Sequence, residues 1–364
     1  MKALVKAEPG PGLAMQEVAQ PQVGSHDVLV KVRACSICGT DLHLYQWDRA
    51  GSDRLRPPMI IGHEFCGYAV RCGPGVTSIR EGDFVSADSH LPDWSCSVCR
   101  NGLPHLCANL HILGVDRPGA FAEYVSLPET SLWVNDPGLD PALASIQDPM
   151  GNAVHATLVE PVAGRSVVIF GDGPTGLGAV AVARAAGAAV IVHVGLSDFL
   201  LDIGRRLGAT ESIHAKRQDP VAEVRRLCGG EGADVVLEMS GSPAAVRQGL
   251  ECLRPGGRFS AFGLTNGPVE LDLTNQVIFK GARILGITGR VMWETWYQMA
   301  GLLRSGRLDF GPIVTHRLPF EQWQHAFDLL LAPDRRAAKI VLFMDEDDQA
   351  IGRRGTRATD LRTG

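Results

Sequence analysis

The sequence predicts a two-part α/β protein, a β-rich N-terminal region followed by a doubly wound sheet of parallel strands. Three observations carry this. Short alternating stretches between glycines and prolines fill the first 150 residues. From Ser166 onward, short apolar runs alternate with helical patterns. Between the first such run and the first such helix lies a glycine-rich turn, Gly171-Asp172-Gly173-Pro174-Thr175-Gly176.

In the N-terminal region, residues 27–34 alternate like a half-buried strand. Arg56-Pro57-Pro58, Gly73-Pro74-Gly75 and Arg117-Pro118-Gly119 punctuate short strands, as in a small barrel or sandwich. Ser166-Val167-Val168-Ile169-Phe170 then reads as a buried strand, with a helix over 177–186 and a second strand over 189–194. A helix over 198–207 and strands over 233–238, 257–262 and 283–287 continue the βαβ rhythm. Amphipathic stretches at 293–304 and 319–331 precede a last strand over 338–344. Residues 345–364 hold five acids and four arginines with no apolar face, and a disordered tail is expected there.

A chain of 364 residues suggests two domains at about 150 residues each. With 45% hydrophobic and 21% charged residues, disorder as the main state is excluded. A net charge of −5, from 35 basic and 40 acidic residues, argues against a nucleic-acid partner. The apolar region 166–196 is broken by Asp172, Arg184 and many glycines, so no membrane span is expected. Met1-Lys2-Ala3-Leu4-Val5-Lys6 lacks an export core, and a cytoplasmic protein is expected. Nine cysteines, seven of them before position 108, point to metal rather than to a disulfide scaffold.

The turn at 171–176 fits G-x-G-x-x-G in its proper context, after a strand and opening a helix. Gly171 permits the tight turn, Gly173 admits a pyrophosphate, and Gly176 lets helix and strand pack closely. The second strand should then end in an acid for the adenosine ribose, but Gly195 stands there. No arginine flanks it to bind a 2′-phosphate, and Asp198 nearby would repel one. NAD is therefore expected, with NADP as the alternative.

Two clusters have metal-ligand character. Cys38, in Cys38-Gly39-Thr40-Asp41-Leu42-His43, and His63, in Gly62-His63-Glu64, suit zinc, with Glu64 or a nearby carboxylate supplying oxygen. Three protein ligands would leave an exchangeable position, the mark of a catalytic site. Cys35-x2-Cys38 ends a β-rich segment and is not read as a redox pair; Cys35, Cys66, Cys72, Cys228 and Cys252 are taken as small apolar residues. Cys96-x2-Cys99-x7-Cys107 reads as a structural zinc lobe whose fourth ligand is Asp93, with His90 or His105 as alternatives and a metal-free loop as the bland one.

Taken in order over residues 1–344, the C-G-T-D, G-H-E, cysteine-lobe and G-x-G-x-x-G motifs resemble the zinc-dependent medium-chain dehydrogenases. Within them, the stretches Asp148-Pro149-Met150-Gly151-Asn152-Ala153-Val154-His155, Gly289-Arg290-Val291-Met292-Trp293-Glu294-Thr295-Trp296-Tyr297 and Pro312-Ile313-Val314-Thr315-His316-Arg317 resemble the L-threonine 3-dehydrogenase branch. The resemblance implies a GroES-like catalytic domain at 1–150, a Rossmann domain at 151–289 and a return to the first domain at 290–344. It implies that Cys38, His63 and Glu64 surround a catalytic zinc, that Thr40 and His43 relay a proton, and that Asp148 tunes the site. Asp93, Cys96, Cys99 and Cys107 match four cysteines holding a structural zinc. The dinucleotide is met at Gly171, Gly173, Thr175, Gly176, Gly195, Leu200, Phe262, Gly263, Leu264, Ile287 and Thr288.

The implied reaction is hydride transfer from a secondary alcohol to NAD or NADP, with L-threonine going to 2-amino-3-ketobutyrate. His90, Asp88 and Asp148 are then polar groups around the substrate. Other vicinal amino alcohols, diols or polyols are the alternative. A zinc-free quinone-reductase-like or binding protein of the same fold is the remoter one, and Gly62-His63-Glu64 with Cys38 speaks against it. A homodimer or homotetramer is implied. The chain departs from the family at Asp93, which replaces a cysteine, and at Gly195 and Leu200, which replace an acid and a base.

Overall fold

The computed structural model describes residues 1–265, 267–346 and 348. The chain divides into two units, residues 1–149 with the described residues from 314 onward, and residues 150–313.

The first unit is built on a sheet of seven strands among the described residues. Its central strand, Asp27–Ser36, buries Val28, Val30 and Val32 against Phe65, Val85, Phe121 and Phe327. One edge pairs antiparallel with Glu64–Cys72. The other is shared: Tyr124–Pro128 pairs near its start and Lys339–Phe343 near its end. The register sets Ser36 opposite Glu64 on one side and opposite Val341 on the other. Three distant chain segments thereby converge just before Cys38.

The N-terminal region is not all β. Helices Gly39–Gln46 and Pro141–Ser145 interrupt it, and Gln147–Leu158 follows. The first lacks an apolar stripe, so periodicity missed it. The Asp41 carboxylate accepts the Cys38 backbone N–H at 2.8 Å and so caps its N-terminus.

The second unit holds a six-stranded, all-parallel sheet among the described residues. Its order is Glu211–His214, Val190–Gly195, Ser166–Phe170, Ala233–Glu238, Leu253–Ala261, Arg283–Gly286. This is the 3-2-1-4-5-6 dinucleotide-binding topology. The chain returns to the first unit at Val314, not at 290. Residues before that stay with the second unit because Arg290 lies over Gly151, where a Cβ would meet its Cδ at 2.7 Å, and donates to Asn152 Oδ1 at 3.0 Å. The strand Val314–Pro319, absent from the sequence reading, then pairs parallel with Lys339–Phe343.

The expected tail lies mostly outside the described residues. Asp348 is described, and its carboxylate accepts from Arg33 Nε at 2.8 Å, so this position is docked. No helix among the described residues is long and apolar enough to cross a membrane.

Candidate active site

Cys38, His63 and Glu64 offer one ligand atom each, all within 4.8 Å of one another. The sheet register explains Glu64: it stands opposite Ser36, and His63 immediately precedes that strand. Glu64 is buried, and its Oε2 is pinned by the Ser36 hydroxyl and by the ammonium of buried Lys339. Lys339 also donates to the Ile37 carbonyl at 3.1 Å. Glu64 Oε1 is left buried without a hydrogen-bond partner among the described residues.

Asp41, unassigned by the sequence reading, lies behind the histidine. Its Oδ1 is 3.8 Å from His63 Nδ1. Burial disfavours an imidazolium at His63, but the Cys38 thiolate and the Asp41 carboxylate more than offset this and push its pKa up to about 10. Two buried carboxylates and one half-buried thiol around a buried histidine draw positive charge, and the donor set suits zinc. Cys35 takes no part. It is fully buried, and burial pushes its thiol pKa well up.

Thr40 and His43 lie on the helix that starts after Cys38, with Thr40 Oγ1 3.9 Å from Cys38 Sγ. His43 is half exposed, and its Nδ1 meets Asp48 Oδ2 at 2.5 Å. Asp48 also caps the short helix Arg49–Ser52. Sequence reasoning did not single out Asp48. Asp148 is buried and accepts the Ser89 backbone N–H at 2.7 Å; His90 donates its own N–H to Asp88 Oδ1 at 3.0 Å.

Asp93, Cys96, Cys99 and Cys107 form a second cluster within the same span of 4.8 Å. The sulfurs accept backbone N–H groups, from Cys99 onto Cys96 and from Asp93 and Asn109 onto Cys107. Such bonds from Cys99 and Ala108 hold the Cys96 thiol down to about 7, as a thiolate metal ligand requires. The Asp93 carboxylate is already engaged. Oδ1 accepts from the Ser95 and Cys96 backbones, and Oδ2 accepts from Asn109 Nδ2 at 2.6 Å. His90 and His105 are outside this cluster.

The glycine turn has the shape of a pyrophosphate cradle. Gly171 has φ +121°, and a Cβ on Gly176 would sit 2.0 Å from the Gly171 carbonyl oxygen. At Gly173 a Cβ would meet nothing within 4 Å, so the backbone there faces open space at the helix N-terminus. Thr175 follows in the first turn of helix Pro174–Ala185. Phe262, Gly263, Leu264, Ile287 and Thr288 follow the C-terminal ends of two neighbouring strands, with the Ile287 N–H bonded to the Ala261 carbonyl.

Two expectations at this end need correction. Leu200 is buried in the core and has no open face for a cofactor. An arginine does stand near Asp198: Arg217 forms an ion pair with it. It comes from beyond the next strand, so adjacency in sequence could not reveal it. Gly195 ends its strand as read, but the space of its missing side chain is filled. A Cβ there would lie 2.6 Å from both Cβ and Oδ2 of Asp172. Asp172 Oδ2 accepts the backbone N–H groups of Leu196 and Ser197 at 2.7 and 2.8 Å.

Comparison with known proteins agrees with this geometry. Residues 24–136 match the alcohol dehydrogenase GroES-like domain, and residues 174–305 match the zinc-binding dehydrogenase family. An L-threonine 3-dehydrogenase of Symbiobacterium thermophilum is 49% identical over 95% of this chain and 98% of its own. An alcohol dehydrogenase of Thermus sp. ATN1 superposes with a TM-score of 0.86 at 32% identity, covering 94% of this chain and 99% of its own. A Sinorhizobium meliloti 1021 protein classed as a zinc-binding dehydrogenase and bound to NADP has a TM-score of 0.86 at 28% identity, over 94% and 98% of the two chains.

Proposed function

The chain belongs to the zinc-binding dehydrogenases with a GroES-like domain, the family of the L-threonine 3-dehydrogenases, and from that premise we propose that it oxidises L-threonine with NAD. The Cβ–H leaves as hydride to the nicotinamide, the hydroxyl proton goes to solvent, and the products are 2-amino-3-ketobutyrate and NADH. The observation that carries this reading is the cluster of half-buried Cys38 with buried His63 and Glu64. Zinc held there supplies Lewis acidity toward an alcohol oxygen.

The chain's own residues do the rest. Asp41 Oδ1, 3.8 Å from His63 Nδ1, would favour a proton there and so leave Nε2 able to hold a metal. Lys339 and Ser36 fix one oxygen of Glu64, so the other would be available to hold a metal. Thr40 takes the substrate proton, and His43 passes it to water, with Asp48 stabilising the imidazolium. Asp148 and the Asp88–His90 turn supply polar surroundings for the substrate. Threonine is favoured among secondary alcohols by relatives such as the Symbiobacterium enzyme. All nine cysteines are free thiols, which fits a cytoplasmic setting. Strand Arg283–Gly286 is a sheet edge with Ile284 exposed, near exposed Ile278 and Phe279, and this face suits a second copy of the chain.

Initial rates on L-threonine, 2,3-butanediol, sorbitol and 2-propanol, each with NAD and NADP, test the proposal. L-threonine with NAD should have the highest kcat/KM. A diol or polyol preferred tenfold, about 1.4 kcal/mol of transition-state preference, would overturn the threonine reading.

A further inference from the structure

The first variable position of the glycine turn carries an acid, and the strand end where the ribose acid would stand carries a glycine. The two are one arrangement. Gly195 is buried, and no side chain larger than hydrogen fits beside Asp172 without a shift. Asp172 Oδ2 is held by the Leu196 and Ser197 N–H groups, which fixes the carboxylate at the end of Val190–Gly195. Its Oδ1 accepts no hydrogen bond among the described residues. We infer that Asp172 is the ribose-binding acid of this chain, reaching the strand end from the glycine turn and selecting NAD over NADP.

This inference rests on the NAD reading above and supplies its physical cause. In this fold the adenosine ribose is held by a carboxylate at the end of the second strand, which accepts its hydroxyls. The free Oδ1 is such an acceptor. A 2′-phosphate brought to the same point meets a fixed like charge instead. Of the cations after the next strand, Arg217 is paired with Asp198. Asp172 is therefore a specificity-determining residue for the adenosine half of the cofactor.

The test is binding, read by calorimetry with NADH and NADPH on the zinc-loaded protein, without turnover. Wild type should bind NADH at least tenfold more tightly than NADPH. Asp172→Ala should lower that ratio at least tenfold, losing NADH affinity and gaining NADPH affinity. Asp172→Asn keeps an oxygen for the two N–H groups but removes the charge, and should move the ratio the same way. The pair Asp172→Gly with Gly195→Asp shifts the acid back to the strand end and should restore the preference for NADH. A ratio within twofold of wild type in Asp172→Ala and Asp172→Asn overturns the inference. So does equal weakening of both ligands, which marks a structural role. A wild type that prefers NADPH overturns the NAD reading instead, and the change in ratio between wild type and variants still reports on Asp172.

Discussion

Only the ring nitrogen that carries no proton can bind a metal, so a ligand histidine needs its other nitrogen occupied. If His63 holds zinc, the group facing its Nδ1 is Asp41, a buried carboxylate 3.8 Å away that itself accepts the Cys38 N–H. Asp41→Asn keeps the shape but removes the charge. Zinc affinity, measured by competition with a chromophoric chelator, should fall about 10–100-fold; an unchanged affinity would show that Asp41 only caps its helix. His193 presents the opposite electrostatics. It is fully buried in strand Val190–Gly195, with Nε2 3.2 Å from the Gly171 carbonyl, and burial lowers its pKa below the ordinary 6.5. The unfolded chain therefore takes up a proton near pH 6.5 while the folded chain resists until lower pH. Below about 6.5 the unfolded state binds more protons, and stability falls as pH falls, by up to about 1.4 kcal/mol per pH unit from this group. Urea midpoints measured from pH 7.5 to 5.5 should show this slope, and His193→Gln should flatten it.

Among the elements, strand Lys339–Phe343 has the most to hold. Ile340, Val341, Leu342 and Phe343 are fully buried, yet the strand opens with a lysine that is buried too. Taking an ammonium out of water is costly unless it is paired, and Glu64 is the pair. The strand thus links Asp27–Ser36 to Val314–Pro319 and fixes the orientation of the Glu64 carboxylate. Lys339→Met fills similar volume but leaves the Glu64 charge buried and alone. It should cost about 3–5 kcal/mol of stability, read from urea unfolding of the zinc-free protein. A loss below about 1 kcal/mol would show that Ser36 alone suffices for Glu64. Helix Gly39–Gln46 matters in the same way, since it places Thr40 toward Cys38 and His43 toward solvent from one short turn sequence.

At the level of the whole molecule, the chain carries two metal clusters of different softness. In the cluster of Cys38, His63 and Glu64, the histidine and glutamate are buried and backed by Asp41 and Lys339. The lobe has three thiols but a hard carboxylate, Asp93, whose oxygens already serve Ser95, Cys96 and Asn109. Dialysis against a moderate chelator should therefore remove zinc from the lobe first. Asp93→Cys should raise the zinc retained after dialysis by about one ion per chain, as read by elemental analysis. Equal retention in both proteins would show that the carboxylate is as good a fourth ligand as a thiolate.

Much of this was legible in the linear order of residues. The G-x-G-x-x-G turn, the Cys38 and Gly62-His63-Glu64 motifs, the cysteine lobe and the βαβ rhythm are local patterns, because turn geometry, ligand spacing and strand burial each act over a few residues. What the sequence left open depends on register and on long-range approach. Lys339 reaches Glu64 because two strands far apart in the chain flank Asp27–Ser36. The chain returns at Val314 because Arg290 lies against Gly151 and Asn152. Asp48 carried no signal in the sequence, and Asp172 stood there only as the acid inside the glycine turn. Only the folded backbone brings the first to His43 and the second into the space left by Gly195. A carboxylate acts over a few ångströms of space, and chain separation does not measure that distance.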